Sequence, residues 1–185
     1  AIKLNLQTLM RRELPKEKQQ AMLTAAVEET DRINALIENS LLAARLESSN
    51  ITLQSEIFNL SEYLELWLKN RTAVHTHTSR LEAGIESGLW ILGDPLAIAS
   101  LVGNLVENAE KYSPETKPVV LSLKREKNHA VLSVADFGTG ISEEDKHKIF
   151  QKFYRVGNEE TRGTKGTGLG LFIVKHIVHY HGGTI

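Results

Sequence analysis

The amino-acid sequence predicts an α+β fold in which a helical hairpin precedes an α/β sandwich. Apolar residues recur every three or four positions through the first 47 residues, which is helical spacing. Beyond about residue 50, short strand-like and helical segments alternate irregularly, which favours a mixed sheet under a layer of helices. A chain of 185 residues, 41% of them hydrophobic, is long enough for one such core and a smaller accessory unit.

The first unit is predicted to contain two helices. Residues 1–13 carry apolar side chains at helical spacing, and Pro15 ends the pattern because proline disfavours helix in the residue before it. A second helix, over residues 17–47, would be roughly 45 Å long. Residues 48–50 are polar and mark a boundary, so we predict domains at 1–48 and 49–185.

The second helix carries a broad apolar stripe that a short first helix cannot cover. Homodimerisation into a four-helix bundle supplies the missing partner most simply, and packing of this helix on its own globular domain is the alternative. The stripe consists of Leu23, Ala26, Val27, Thr30, Ile33, Leu36, Ile37, Ser40, Leu41 and Ala44.

The second unit is predicted to hold one mixed sheet. Asp94 and Pro95 form a strong helix start, since the carboxylate caps free N–H groups and proline has no N–H to lose. We predict strands near 51–54, 79–84, 89–92, 118–126 and 129–136, helices at 61–74, 94–112 and 169–181, and a short helix in the glycine-rich stretch. The expected buried faces are Ile98, Leu101, Val102, Leu105 and Ala109 on one helix and Leu169, Phe172, Ile173, Ile177 and Tyr180 on the last.

Composition excludes several classes of function. A net charge of −1 gives no bulk attraction to nucleic acid or anionic lipid. The absence of cysteine excludes disulfides, thiolate zinc sites and thiol nucleophiles, and the seven histidines show no metal-binding spacing. No apolar run approaches the roughly 20 residues that cross a bilayer, so we expect a soluble piece.

Asn104, Asn108 and Lys111 follow one another at i, i+4 and i+7, and we call them the polar edge of their helix. Two amides and an ammonium in a row suit a magnesium-bound polyphosphate. An ordinary solvent-facing edge is the alternative.

Asp136 ends a strand and is followed by Gly138 and Gly140. A partly buried carboxylate there needs a hydrogen-bond donor, which the amino group of adenine would supply. The glycines let backbone approach a flat base. A plain strand-to-turn signal is the alternative.

Residues 166–170, which we call the glycine loop, place Gly166, Gly168 and Gly170 at the start of the last helix. Free N–H groups and a helix N-terminus favour phosphate. The spacing fits neither a Rossmann fingerprint nor a Walker A loop.

Phe150 and Phe153 are spaced to hold a short helix against the core, with Arg155 at its end. Residues 156–165 are polar and contain glycine, which is typical of a mobile lid. A surface loop without a role is the alternative.

The order and spacing of these four segments resemble the N, G1, F and G2 boxes of sensor histidine kinases, which share the ATP-binding fold of gyrase B and the heat-shock chaperones. The resemblance covers nearly the whole chain, because the helical hairpin is similar to a truncated dimerisation and phosphotransfer domain. It implies binding of ATP and Mg²⁺, transfer of the γ-phosphoryl to histidine, and relay to a response regulator receiver domain. It also implies a homodimer, no nucleic-acid partner, and a cytoplasmic location in which missing upstream segments would supply any anchor in the bacterial inner membrane.

The resemblance implies a role for each matching residue. Asn108 is implied as the Mg²⁺ ligand and Asn104 as its neighbour in the metal–phosphate shell. Lys111 and Arg155 are implied as phosphate contacts, and Tyr112 as a wall against adenine. The remaining implied nucleotide contacts are Asp136, Gly138, Gly140 and Ile141 around the base and Gly166, Thr167, Gly168, Leu169 and Gly170 in the glycine loop.

The chain departs from the family pattern in its first helix. The family carries its phospho-accepting histidine there, and residues 1–47 contain no histidine, so we expect that box upstream and predict no autophosphorylation of this chain. His75, His77, His147, His176, His179 and His181 lie outside any such motif and are interpreted as surface or packing residues. After Gly183 only Thr184 and Ile185 remain of an expected final strand.

Two other functions stay open from sequence. One is a nucleotide-binding regulatory module that acts by docking a partner without kinase turnover. The other is a hydrolytic ATPase of the gyrase superfamily, and this is disfavoured because that group has a glutamate general base where Asn104 stands.

Overall fold

The computed structural model describes residues 2–11, 14–47, 54–74, 80–157 and 166–185. The chain divides into two compact units, Ala1–Ala44 and Arg45–Ile185. The predicted boundary at residues 48–50 and most of the predicted lid lie outside the described residues.

The first unit is helical, as predicted. Helix α1 spans Ile2–Arg11 and α2 spans Lys16–Glu47. Pro15 directly precedes the second helix, and its carbonyl accepts a hydrogen bond from the Gln19 N–H at 3.0 Å. Much of the predicted stripe of α2 is exposed, including Leu23, Val27, Ile33, Leu36, Ile37 and Leu41, at 43 to 59% of their surfaces.

The second unit alternates strands and helices. In chain order it contains β1 (Glu56–Asn59), α3 (Leu60–Val74), β2 (Leu81–Ile85), β3 (Trp90–Gly93), α4 (Pro95–Tyr112), β4 (Val119–Glu126), β5 (His129–Ala135), α5 (Glu143–Lys146) and α6 (Gly170–Tyr180). Residues 184–185 are in no strand.

The strands of the described residues form two sheets, and the prediction of one mixed sheet is wrong in this respect. β1 pairs with β3 in antiparallel fashion, while β2, β4 and β5 form a three-stranded sheet with a parallel β2–β4 pair and an antiparallel β4–β5 pair. α3 contacts the first three strands, and α4 packs on β4, β5 and α6. The layered arrangement of helices on sheets matches the predicted fold class.

The first described strand lies later than the predicted strand near 51–54. The Gln54 N–H donates to Asp94 Oδ2 at 3.0 Å, so this residue helps to close the start of α4 and pairs with no strand. Residues 51–53 lie outside the described part.

Two predicted helix faces need correction. On α4 Val106, which was not predicted, is fully buried like the predicted Val102, whereas the predicted Leu105 is half-buried. On α6 Val174 is buried and Tyr180 is 44% exposed. Apolar content alone did not separate neighbouring candidates, because Leu105 and Val106 both lie within a helical stripe.

The segment around Phe150 and Phe153 is not a helix. The short helix is α5, which Ser142 caps by accepting the Asp145 N–H at 3.2 Å, and residues 147–153 form turns. Phe153 has φ +64 and is 65% exposed, so it does not hold a helix against the core.

The start of α4 is tied to the end of α6. Asp94 caps α4, with Oδ1 accepting the N–H groups of Leu96 and Ala97 at 2.9 and 3.1 Å. The Asp94 N–H donates to His181 Nε2 at 3.0 Å, so Nδ1 carries the ring proton and donates to the Ile177 carbonyl at 2.7 Å. Gly93 leaves room for this ring, because a Cβ there would lie 2.6 Å from it.

Candidate functional site

The polar edge lies on the half of α4 that leads to its C-terminus. The amide nitrogen of Asn104 donates to the Ser100 carbonyl at 2.8 Å and lies 3.4 Å from its Oγ. This contact fixes the side chain and turns its Oδ1 away from Ser100. The amide oxygen of Asn104 is therefore held in one direction before any ligand arrives.

The glycine loop lies directly against this edge. A Cβ on Gly170 would sit 2.7 Å from Asn104 Oδ1 and 3.6 Å from Asn108 Nδ2. A Cβ on Gly166 would collide with Lys111 Nζ. Both glycines thus allow the backbone of the loop to approach the polar edge with no side chain between them.

Within the loop the two predicted contacts that are not glycines differ in character. Thr167 Oγ1 accepts the Leu169 N–H at 3.2 Å, which stabilises the turn into α6. The Leu169 side chain is only 1% exposed and belongs to the core. Its backbone is also bonded within the protein, since the Leu169 carbonyl accepts the Ile173 N–H at 2.9 Å.

Residues 153 and 154 pack on another side of the glycine loop. The Phe153 N–H donates to the Gly168 carbonyl at 3.0 Å. Gly168 has φ +72, and a Cβ there would lie 2.7 Å from the Phe153 carbonyl carbon and 2.8 Å from the Tyr154 oxygen. Arg155, which is half-buried, directly follows Tyr154 and so lies one residue beyond the segment that contacts the loop.

Tyr154 is also bound to α5. Its hydroxyl donates to Asp145 Oδ1 at 2.6 Å. The hydrogen bonds from Tyr154 and Ser142 lower the pKa of Asp145, and the bond to Asp145 raises the pKa of Tyr154. The segment before the predicted lid is therefore connected to α5 on one side and to the glycine loop on the other.

Asp136 and Gly138 lie at the last turn of α4, and we call residues 136–138 the Asp136 turn. Asp136 Oδ1 accepts the Gly138 N–H at 2.7 Å, and the Phe137 N–H donates to Ser113 Oγ at 3.3 Å. A Cβ on Gly138 would lie 2.6 Å from the Tyr112 carbonyl oxygen. The turn can therefore sit on the helix end only because residue 138 is glycine.

The Asp136 carboxylate is exposed, which corrects the expectation of partial burial. The residue follows the last position of β5, beyond the ladder, and its own turn supplies a donor to one oxygen. Among the contacts of the described residues, none involves its second oxygen, Oδ2.

Tyr112 is 48% exposed beside the Asp136 turn. Lys111 Nζ donates to its hydroxyl at 3.0 Å and lies 4.6 Å from the ring centroid. Gly140 has φ +74 and Ile141 is 44% exposed, and a Cβ on Gly140 would meet no atom within 4 Å. The structure thus brings the polar edge, the glycine loop and the Asp136 turn together, whereas Gly140 and Ile141 lie on the exposed stretch that follows.

Sequence reasoning assigned no role to two serines that support the site. Ser100 fixes the Asn104 amide, and Ser113 is buried with its hydroxyl accepting the Phe137 N–H. Ser113 comes directly after the last residue of α4, which is a position where a hydroxyl often bonds to nearby backbone. That signal is weak in a sequence, because many exposed serines follow helices.

No group of three or more histidine, aspartate or glutamate residues within the described ranges could hold a metal ion. In the same part of the chain no helix is long and apolar enough to cross a bilayer.

Comparison with known proteins gives a consistent result. Residues 93–185 match the family described as histidine kinase-, DNA gyrase B-, and HSP90-like ATPase. The sensor protein kinase PmrB of Pseudomonas aeruginosa is 33% identical over 186 residues, which cover 100% of this chain and 38% of PmrB. The chain thus spans about two fifths of this curated relative.

Solved structures agree with the fold. The Acinetobacter baumannii histidine kinase AdeS, at 21% identity, superimposes with a TM-score of 0.70 over 96% of this chain and 81% of that one. ShkA, at 26% identity, gives a TM-score of 0.69 over 92% of this chain and 35% of its own. The predicted fold class and family are confirmed: the chain belongs to the histidine kinase-, DNA gyrase B- and HSP90-like ATPase family, among its sensor histidine kinases.

Proposed function

We propose that this chain binds ATP with Mg²⁺ between the polar edge, the glycine loop and the Asp136 turn. The γ-phosphoryl group then passes to a histidine that is absent from residues 1–47, for relay to a response regulator. The observation that carries the proposal is the convergence of three separate sequence segments on one half of α4. Membership of an ATPase family and a solved ShkA structure in complex with AMPPNP support the choice of nucleotide.

The donor set suits magnesium. Asn108 is the proposed ligand, and Asn104, whose Oδ1 is already oriented by Ser100, contacts the metal–phosphate shell. Amide oxygens are neutral hard donors, and Mg²⁺ commonly keeps few protein ligands beside phosphates and water. When bound, the ion would neutralise charge on the polyphosphate.

The adenine end is assigned to the Asp136 turn. Asp136 Oδ1 is occupied by the Gly138 N–H, which leaves Oδ2 to accept a hydrogen bond from an exocyclic amine. Tyr112 presents a half-exposed ring beside it. An acceptor-only carboxylate favours adenine over guanine, which offers a carbonyl oxygen at the corresponding position.

The phosphate end is assigned to the glycine loop. Its backbone lies at the N-terminus of α6, where free N–H groups and the helix dipole attract anions. Lys111 lies against Gly166 and supplies a positive charge there. Arg155 is the proposed γ-phosphate contact, and it acts by offsetting the charge that the phosphoryl group carries during transfer.

Replacing Asp136 with asparagine tests the adenine assignment. The D136N variant puts an amide in place of an acceptor-only carboxylate, and we expect ATP affinity to fall about 10- to 100-fold, the range for losing a charge-assisted hydrogen bond. Isothermal titration calorimetry with Mg·AMPPNP measures this. E126Q is the matched control, because Glu126 pairs with His129 at the opposite end of the β4–β5 hairpin. Unchanged affinity in D136N would remove the adenine assignment.

Incubation with γ-labelled ATP tests the acceptor. We expect no acid-labile label on this chain, because residues 1–47 contain no histidine. A longer chain or a separate helical segment that supplies a histidine should become labelled and pass the label to a receiver domain. Nucleotide binding without any such labelling would instead favour the regulatory module.

The remaining partners belong to the same proposal. Exposed apolar residues along α2 support homodimerisation through the first unit. A response regulator receiver domain is the proposed phosphoryl acceptor. We place the chain in the cytoplasm, with any membrane attachment supplied by upstream segments of the parent protein.

A further inference from the structure

Arg80 donates hydrogen bonds to several carbonyl oxygens at and just after the end of α4. Its guanidinium donates to the Ser113 carbonyl at 3.2 Å and to the Lys117 carbonyl at 3.3 Å, and it also contacts the carbonyls of Glu110 and Pro114. The side chain precedes β2 and is half-buried. One residue from outside α4 therefore binds both its last turn and the loop that follows.

The chemistry of these contacts is specific to a guanidinium. The last carbonyls of a helix have no partner within the helix and carry partial negative charge. A planar fork with five donors can satisfy several of them at once, and its charge complements the helix dipole. Lysine offers a similar charge but only a compact ammonium at the end of a flexible chain.

The same helix end supports the Asp136 turn. Ser113, whose carbonyl binds Arg80, accepts the Phe137 N–H through its hydroxyl. Gly138 lies against the carbonyl oxygen of Tyr112. Displacement of the last turn of α4 would therefore move both the ring of Tyr112 and the backbone that orients Asp136.

We propose that Arg80 is a positioning residue for the adenine end of the site. It holds Tyr112 and the Asp136 turn in fixed positions relative to each other, and it touches no ligand itself. The inference rests on the proposed function for its ligand, but the geometry it describes exists in the free protein. Asn104, against which Gly170 lies, is in an earlier turn of α4 than the carbonyls that Arg80 binds.

Arg71 provides a matched control. It also binds Glu110, but through the side-chain carboxylate at 2.6 Å, and its guanidinium lies 5.5 Å from the centroid of the Trp67 ring. R71M thus removes an arginine from the same helix end without freeing any of the carbonyls that Arg80 binds. A general loss of stability or charge would appear in both variants.

The first measurement needs no nucleotide. In R80M we expect the amide resonances of Phe137 and Gly138 to shift and their hydrogen exchange to accelerate by about tenfold or more, whereas R71M leaves them unchanged. R80K should restore only part of the protection. Unchanged Phe137 and Gly138 amides in a folded R80M would overturn the proposal whether or not the chain binds ATP.

The second measurement separates the two ends of the site. Calorimetry should show R80M weakening Mg·ATP about tenfold while Mg·GTP, which gains little from Asp136, changes less than about twofold. Equal losses for both nucleotides would contradict a role limited to the base. If R80M fails to fold, S113A removes the acceptor of the Phe137 N–H alone and should show the same selective loss. No ATP binding by the unmodified chain would refute the proposed function, while the amide measurements would still decide the role of Arg80.

Discussion

Gly170 begins α6 at the point where the glycine loop comes closest to the polar edge. A methyl group there would lie 2.7 Å from Asn104 Oδ1, an atom that cannot turn aside without breaking the bond to Ser100. The backbone of Gly170 is in an ordinary helical region, so alanine causes no conformational strain of its own. The proposed function therefore favours glycine at position 170, whereas helix stability favours alanine.

We predict that G170A weakens Mg·ATP binding about tenfold or more while leaving the free energy of unfolding unchanged or slightly higher. Alanine favours helix over glycine by up to about 1 kcal/mol, which offsets the local displacement. G103A is the control, because a Cβ on Gly103 meets no atom within 4 Å and should stabilise α4 without affecting the nucleotide. Calorimetry and urea unfolding measure the two effects, and parallel losses in both variants would contradict this view of Gly170.

The Tyr154–Asp145 hydrogen bond gives a pH-dependent contribution to stability. Tyr154 and Ser142 lower the pKa of Asp145 below its ordinary 3.8, so this contribution is present above that value and is lost as the pH falls through the lowered pKa. The pKa of Tyr154 is raised above 10.0 by its bond to Asp145, so the phenol keeps its proton at neutral pH.

We predict that Y154F is less stable than the unmodified chain between about pH 5 and 9, and that the difference shrinks below the ordinary pKa of Asp145 and is lost as the pH falls through its lowered pKa. The carboxyl resonance of Asp145 should titrate at higher pH in Y154F, because the hydrogen bond that lowers its pKa most is gone. Two-dimensional NMR of the carboxyl carbon measures this. A titration curve unchanged by the substitution would show that Tyr154 does not bind Asp145 in solution.

At the scale of elements, α4 is the central support of the second unit. It packs on α6 and on two strands of the three-stranded sheet, and it carries the polar edge. Its start is fixed by Asp94, whose two oxygens accept three backbone N–H groups, from Gln54, Leu96 and Ala97. A carboxylate can serve all three, whereas an amide has only one oxygen to offer.

We predict that D94A lowers the free energy of unfolding by about 2–3 kcal/mol, combining a lost helix cap with a backbone donor left without its acceptor. D94N should cost less, because one oxygen remains for the cap. Urea denaturation followed by circular dichroism measures both. A D94N variant as destabilised as D94A would indicate that the charge of Asp94 matters more than its number of acceptors.

The longer helices of this chain were predictable to within one or two residues at each described end, because caps and periodicity are local signals. The start of α4 illustrates this, since Asp94 and Pro95 mark it directly in the sequence. The short helix was expected around Phe150 and instead is α5, Glu143–Lys146. The partition of strands into two sheets and the choice of Val106 over Leu105 depend on which elements pack together. The spacing of apolar residues along the sequence does not indicate which elements pair over a long range.

The site shows the same division. The residues of the polar edge, the glycine loop and the Asp136 turn were identified from motifs, and the structure places them around one helix. The residues that support the site were not identified from sequence. Ser100 and Ser113 are of a common residue type with no distinguishing motif. Arg80 binds backbone groups that are far away in sequence. A residue that binds carbonyls 30 to 37 positions away has no motif.

At the scale of the whole molecule, the first unit presents an apolar surface along α2. The first unit leaves large apolar residues of α2 exposed, and several of them lie on one stripe at three- and four-residue spacing. Exposed apolar stripes of this kind mark interfaces between helices. The chain spans 38% of PmrB, and the dimer that we propose forms through this helical unit.

We predict that the chain is a dimer at micromolar concentration and that I37E combined with L41E makes it a monomer. Two carboxylates in the stripe would have to be buried in the interface without partners. N34E is the control, since it adds a carboxylate at an exposed polar position of the same helix. Sedimentation velocity measures the mass, and a monomeric unmodified chain would contradict the proposed dimer.

His181, directly after α6, restricts how the opposite end of that helix can move. Its ring fills the space beside Gly93 and binds the backbone of Asp94, so the C-terminal end of α6 cannot slide relative to the start of α4. Any rearrangement that accompanies ligand entry or release must then be taken up before Gly170. We therefore expect α6 to keep its place on α4 while the described residues before it, 166–169, adjust to a ligand.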